Sequence, residues 1–218
     1  MMTIPIFPLH SVLFPGIPIQ LHVFEERYHQ LVDHCLTNIP VFGASMIRRG
    51  HEALGPLAEP YPVGTIAKIL KIERNQDDSL DLTAIGEERF HILALDHSQT
   101  YLNATIETAP LPDPRPLDVL RRLGSFQKNI AAYLKMIHQL DQDLNLEGII
   151  LPDEPLQQLY LTAALLQIPS REKQVVLESE NALMMLNEIE RLLRRERAVL
   201  TRMGAISNES ASQAAWLN

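Results

Sequence analysis

His29, Asp33 and His34 lie close together in "RYHQLVDHC", and Cys35 follows directly. Imidazole, carboxylate and thiol groups at short spacing are what a zinc site or an acid–base pair requires. On a helix, His29 and Asp33 stand at i and i+4 and share a face, whereas His34 points elsewhere. Cys35 falls on the apolar stripe. The spacing matches no tetrahedral zinc pattern, and no metal is expected. Nucleophilic chemistry is no better supplied. "GASMI" around Ser45 lacks the second glycine of G-x-S-x-G and reads as a strand. Ser11 follows His10, but neighbours in a strand or loop point apart. Asp96, His97 and Ser98 read as a polar turn. No catalytic residue and no cofactor are assigned, and the chain is not read as an enzyme.

The elements that would carry these residues change character along the chain. "TIPIF" (3–7) reads as a strand. "LFPG" follows, with Pro15-Gly16 suited to a type II turn in which glycine supplies the positive φ. "IPIQLHV" (17–23) alternates apolar and polar residues, giving a strand with one buried face. Pro18 places it at an edge or a strand start. The period then becomes helical. Phe24, Tyr28, Leu31, Val32 and Cys35 form one stripe, and Glu25, Glu26, Arg27, His29, Gln30 and Asp33 lie off it. "FEERYH" therefore reads as the solvated face of a short helix with Tyr28 turned inward.

Further strands are expected at 41–47, 63–73, 79–86, 89–95 and 101–108. "RNQDD" forms a hairpin turn, "GEE" joins the next pair, and 48–62 is a long loop. Strands at this spacing suggest a sheet that closes or nearly closes. At "APLPDPRP" (109–116), four prolines in eight residues make a stiff connector. Helices follow at 117–140, where Gly124 is a possible interruption, then at 153–168 with Asp153 as N-cap, 170–179 and 180–200. The expected organisation is α+β: residues 1–112 a β-barrel, 113–202 a helical unit, and 203–218 a flexible tail.

Composition narrows the partners. The formal net charge is -8 with no basic block, which argues against nucleic acid and anionic membranes as partners. The arginines at 191–197 alternate with Leu and Glu and suit a solvated helix end. A single cysteine excludes an intramolecular disulfide and fits a reducing compartment. The start "MMTIPIFPLH" has neither a basic n-region nor a long apolar h-region. The longest apolar run, "LYLTAALLQI", is about ten residues, short of the roughly 18 a membrane span needs. A cytoplasmic location is expected.

"IPIFPLHSVLFPGIPIQLHVFEERYHQLV" resembles the opening of the Lon protease N-terminal, or substrate-binding, domain. The features carrying the resemblance are PL-x-x-VLFPG, an alternating strand ending in Phe24-Glu25, and E-R-Y-x-x-L-V. "VFGASMI", "VGTIAKILKI", "LTAIGEERFHI" and "LLQIPSREKQVVLES" resemble later parts of the family pattern, so the likeness spans roughly 3–200. Where many relatives have Arg-Leu after the last of these, this chain has "NALMM". The resemblance implies a PUA-like β-barrel followed by a helical bundle. It also implies that Pro8, Leu9, Phe14, Pro15, Gly16, Phe24, Glu25, Arg27 and Tyr28 are motif positions, mainly structural. No G-x-x-x-x-G-K-[ST] loop occurs, so an ATPase phosphate cradle is absent from this sequence. The expectation is a standalone protein of this family, of the kind found in bacteria.

The function implied is binding of unfolded or damaged polypeptides. The expected peptide contacts are Phe14 and Pro15 by the turn and Leu54, Leu57 and Tyr61 in the long loop; for Leu13, Phe14 and the loop residues the competing reading is core. A PUA-like barrel also occurs in RNA-binding modules, so an RNA- or small-ligand-binding module is the alternative.

Overall fold

The computed structural model describes residues 1–51, 57–112, 116–140 and 150–215. Its strands are β1 (Met2–Leu9), β2 (Pro18–Val23), β3 (Val41–Arg49), β4 (Glu59–Pro60), β5 (Val63–Arg74), β6 (Leu80–Asp96) and β7 (Leu102–Thr108). The helices are α1 (Glu26–Thr37), α2 (Leu117–Leu140), α3 (Pro155–Leu165), α4 (Ser170–Leu177) and α5 (Ala182–Ala215). The chain divides into two compact units. The first is Met1–Pro112 with Pro169–Ser179, and the second is Asp113–Ile168 with Glu180–Asn218. The segment bearing α4 thus belongs with the strands, whereas the sequence reading groups it with the helical half.

In the first unit β7, β6, β5 and β3 follow one another in antiparallel pairs, and β1 pairs with β7 on one side. A short parallel ladder, Ile6↔Gly43 to Leu9↔Met46, joins β1 to β3 and brings the ends of the sheet together in a barrel-like curl. β2 pairs along the first part of β6. The two strands expected around "GEE" are one: β6 runs unbroken from Leu80 to Asp96. The ladder with β5 skips Glu87 there, a bulge that bends the long strand without ending it. Gly86 sits at this bend. A Cβ on it would lie 2.4 Å from the Phe14 carbonyl oxygen, so only glycine lets the two backbones come so close.

The turns follow the chemistry of their residues. Gly16 has φ of 79°, and the Ile17 amide donates to the Phe14 carbonyl at 3.2 Å, as a type II turn requires. In the β5–β6 hairpin Asp78 takes the left-handed conformation, φ 66°, which Asp tolerates better than most residues. Within the expected 48–62 loop, Glu59–Pro60 forms β4 against β3, with an Arg48–Glu59 ion pair beside it.

Two apolar clusters fill this unit. One gathers Phe7, Leu9, Leu13, Tyr28, Leu31, Val32, Cys35, Phe42 and Leu82 under α1. The other gathers Ile4, Ile6, Ile66, Phe90, Leu102 and Ile106. α4 is fixed to the strands by hydrogen bonds: the Gln174 amide donates to Val63 O at 3.0 Å, and Arg89 donates to Ser179 O at 2.9 Å.

The second unit packs α2, α3 and α5 together. Val119, Phe126, Ile130, Tyr133 and Ile137 are buried along α2, and Ala182, Met185, Leu186, Ile189, Leu192 and Leu193 along α5. These steps of three and four residues are the seam of packed helices. Gly124 does not interrupt α2, and α3 takes Glu154, not Asp153, as its N-cap, with Pro155 in the first turn. α5 runs past the expected end near 200, and its backbone is helical to Ala215, through most of the stretch expected as a flexible tail.

Candidate functional site

The opening motif builds a clamp and a cavity. Its first part is held inside. Phe14 is fully buried and Pro15 is buried, so neither presents a face to a ligand, and the expectation of peptide contacts there is corrected. The physical reason lies in the turn's neighbours. Thr65 donates its hydroxyl to Leu13 O at 2.6 Å, and Gly16 N donates to Gly86 O at 2.7 Å. β5 and β6 thus grip the turn from two sides. Pro8 and Leu9 lie in the β1–β3 ladder. Of the loop candidates, Leu57 and Tyr61 are half-buried, and Leu54 lies outside the described residues.

The second part of the motif behaves differently. Glu25 has extended backbone and acts as N-cap of α1, its carbonyl accepting from the Tyr28 and His29 amides. Phe24 therefore precedes the helix and does not share its buried stripe. It is 56% exposed, whereas Tyr28, Leu31, Val32 and Cys35 are buried as expected. Glu25 and Arg27, expected on a solvated face, are largely covered, with side chains 16% and 12% exposed. The Arg27 Nε lies 3.1 Å from the Glu25 carboxylate. Its guanidinium lies 4.8 Å from the centre of the Tyr28 ring, and that ring stacks on Phe7 at 4.3 Å. A stack of Phe7, Tyr28 and Arg27, held by Glu25, combines aromatic and cation–π contacts.

The Phe7 and Tyr28 rings of this stack line a cavity of about 380 Å³ together with His10, His22, Phe24, Glu25 and His51. The His22 Nδ1 is 2.8 Å from Asp81 Oδ1. Hydrogen bonds from His22 and from the Asn75 amide hold the Asp81 carboxyl below its usual range. A His–Asp pair is two members of a hydrolytic triad, but a triad also needs an activated nucleophile. Among the described lining residues the sole hydroxyl is the Tyr28 phenol, whose ring is committed to the stack. Cys35 is fully buried with its thiol donating to Val41 O, and burial pushes its pKa up to about 12, so it stays a protonated thiol. Among the described residues no three His, Cys, Asp or Glu side chains gather as a metal would need. What the cavity offers is recognition: aromatic faces, imidazoles and an open mouth beside Phe24.

Phe24 also lines a second cleft of about 520 Å³, with Glu26, His29, Asp33, Arg74, Asp77, Asp78 and Ser79. Ser79 donates its hydroxyl and its amide to Asp77, lowering that carboxyl's pKa. Arg74 stands 3.8 Å from Asp78 with both side chains mostly in solvent. One exposed residue, Phe24, therefore belongs to the lining of both an aromatic cavity and an acidic cleft.

Several arginines of α5 are engaged within the helical unit. Arg191 bonds Glu188, Arg195 bonds Glu196, and Arg197 donates to Asn129. They do not form the bare cationic track that phosphate contacts require. No described helix is long and apolar enough to cross a membrane.

Sequence reasoning named Phe24, Glu25 and Tyr28 but missed that they line a cavity together with Phe7, His10, His22 and His51. The alternation in 17–23 did carry part of the signal, since it puts His22 on the open face.

Comparison with known proteins places this arrangement. The chain is 29% identical over 201 residues to a Lon protease of Anaeromyxobacter dehalogenans, covering 90% of this chain and 24% of that protein. It is 28% identical over 201 residues to Lon protease 2 of Myxococcus xanthus, again 90% of this chain and 24% of that protein. It thus spans about a quarter of these relatives' length. The crystal structure of a Lon N-terminal domain protein from Xanthomonas campestris superposes with a TM-score of 0.61 at 25% identity, covering 89% of this chain and 98% of that one. The N-terminal domain of a Mycobacterium avium complex Lon protease shares the fold, with a TM-score of 0.63 at 16% identity over 88% of this chain and 98% of that one. The family model for the substrate-binding domain of ATP-dependent protease La (LON) matches residues 3–195, and the chain belongs to that family.

Proposed function

We propose that this protein binds flexible or unfolded polypeptide segments without transforming them, and that the cavity beside Phe24 is where it holds them. The observation that carries the reading is the exposed Phe24 in the lining of a cavity that also holds the Phe7 and Tyr28 rings, in a domain whose family is described as substrate-binding. A large aromatic left 56% exposed, on a wall organised by the Glu25–Arg27–Tyr28–Phe7 stack, is a surface prepared for an apolar side chain. The described lining residues supply hydrogen-bonding imidazoles and, among them, no activated nucleophile, which favours holding over cleaving. Leu57 and Tyr61, half-buried, remain candidates for secondary contacts, and Leu54 with them.

Fluorescence anisotropy with a labelled, permanently unfolded protein such as reduced and carboxymethylated casein tests the reading. Wild type should bind it, and Phe24→Ala should weaken binding about tenfold or more, the loss expected of a central aromatic contact. Absence of binding by wild type, or equal binding by Phe24→Ala, would overturn it. A short single-stranded RNA serves as the control: affinity that falls steeply with salt would favour the RNA-binding alternative.

A further inference from the structure

Resting on that reading, we infer that the preferred polypeptide segment carries an apolar residue two positions from a lysine or arginine, the apolar side chain held in one and the basic side chain in the other of the two clefts that Phe24 lines. Two clefts share this ring and differ in character. On one side lie the stacked Phe7 and Tyr28 rings and three imidazoles, His10, His22 and His51. On the other, among the described lining residues, Glu26, Asp33, Asp77 and Asp78 stand with the His29 imidazole and one guanidinium, that of Arg74. Arg74 reaches Asp78 at 3.8 Å, and the two side chains are 67% and 89% exposed, so water screens much of that pairing. Asp77, its pKa lowered by the Ser79 hydroxyl and amide, is ionised at neutral pH. The cleft therefore keeps an excess of negative charge beside an aromatic face.

A lysine or arginine fits this side by charge. Its alkyl stem covers the ring while its head meets the carboxylates. An acidic side chain would be repelled. On an extended chain, residues two apart lie on the same face about 6.6 Å apart, so an apolar and a basic side chain at that spacing can enter neighbouring clefts.

The test uses the whole protein and three fluorescein-labelled peptides of otherwise Gly/Ser sequence, containing Leu-Ser-Lys, Leu-Ser-Glu or Ser-Ser-Lys. The Leu-Ser-Lys peptide should bind about tenfold tighter than either of the others, and its advantage over Leu-Ser-Glu should shrink as salt is raised. In Asp77→Asn/Asp78→Asn that advantage should fall to about threefold or less, since part of the negative charge is gone. Asn retains the acceptor for Ser79 and tolerates the left-handed backbone at 78, so this variant keeps the hairpin. Glu26→Gln/Asp33→Asn, on α1, removes charge from the same cleft without touching the hairpin and should act in the same direction. Equal binding of the Leu-Ser-Lys and Leu-Ser-Glu peptides, or an advantage unchanged in both variants, would overturn the inference and leave polypeptide binding standing. Failure of wild type to bind any of the three peptides or the unfolded protein would overturn both.

Discussion

The strand-rich unit and the helical unit solve the same burial problem by different means. The helical unit hides its apolar residues by local periodicity: Val119, Phe126, Ile130, Tyr133 and Ile137 recur at steps of three, four and seven along α2. Its arginines mostly pair with near neighbours at the surface. The strand-rich unit brings together residues far apart in sequence. It covers a charged pair, Glu25–Arg27, with the arginine over the Tyr28 ring, and leaves the adjacent Phe24 in solvent. Periodic packing yields a scaffold with few special positions. Where polar side chains are covered and a large ring is not, the chain has departed from the pattern that stability alone would select.

The largest expected effect attacks a feature both units share. Tyr28→Ala and Phe126→Ala each remove a buried aromatic and should cost about 3–5 kcal/mol in urea unfolding followed by circular dichroism. The two should differ in function: Tyr28→Ala also removes the cavity wall and should abolish polypeptide binding, while Phe126→Ala should leave the affinity of the folded fraction unchanged. The next effect isolates the charged pairs. Arg27→Ala should cost about 1–3 kcal/mol, because it strips a covered carboxylate of its partner and uncovers Tyr28. Arg191→Ala, whose side chain is 52% exposed beside Glu188, should cost about 0.5 kcal/mol or less. Equal losses for the two arginines would erase the contrast between the units.

A smaller change concerns a single hydrogen bond in the helical unit. The Gln167 amide donates to the Tyr133 phenol oxygen at 2.9 Å, and burial raises the pKa of that phenol, so it stays protonated. Tyr133→Phe should lower stability by about 1 kcal/mol, the usual value of one such bond. The smallest effect is expected at Phe24. Its exposed ring contributes little burial, so Phe24→Ala should change stability by about 0.5 kcal/mol or less while weakening polypeptide binding. A loss of several kcal/mol would mean that the ring serves the fold and not a ligand.

Much of the fold was legible because its signals are local. Pro15-Gly16 declared a type II turn, and the alternation in 17–23 and the helical steps in 28–35 declared their elements. What was not legible depended on partners far away in the chain. The helical stripe assigned Phe24 to the core because periodicity cannot tell that Glu25 caps the helix and Phe24 stands outside it. Arg27 looked solvated for the same reason: the Tyr28 ring it lies over is turned and held by Phe7 only in the folded unit. "GEE" looked like a turn because a glycine followed by charges is a good turn sequence. The close approach of the Phe14 carbonyl explains that glycine instead. The acidic cleft draws residues from α1 and from the β5–β6 hairpin, a meeting that no local pattern announces.

The first unit takes residues 169–179 as well as 1–112, and this has a consequence for the order in which the protein can be made. A ribosome has released every strand once Thr108 is out, yet the acceptor that Arg89 uses, the Ser179 carbonyl, and the amide that Val63 uses, that of Gln174, do not yet exist. Arg89 is 7% exposed in the finished fold, so an early barrel would hold its guanidinium without that carbonyl. The nascent strands should therefore stay loosely closed while residues 113–168 are synthesised, and tighten only when α4 emerges. A fragment ending at residue 112 should show weak amide protection around Val63 and Arg89, and adding a synthetic 169–179 peptide in excess should raise it.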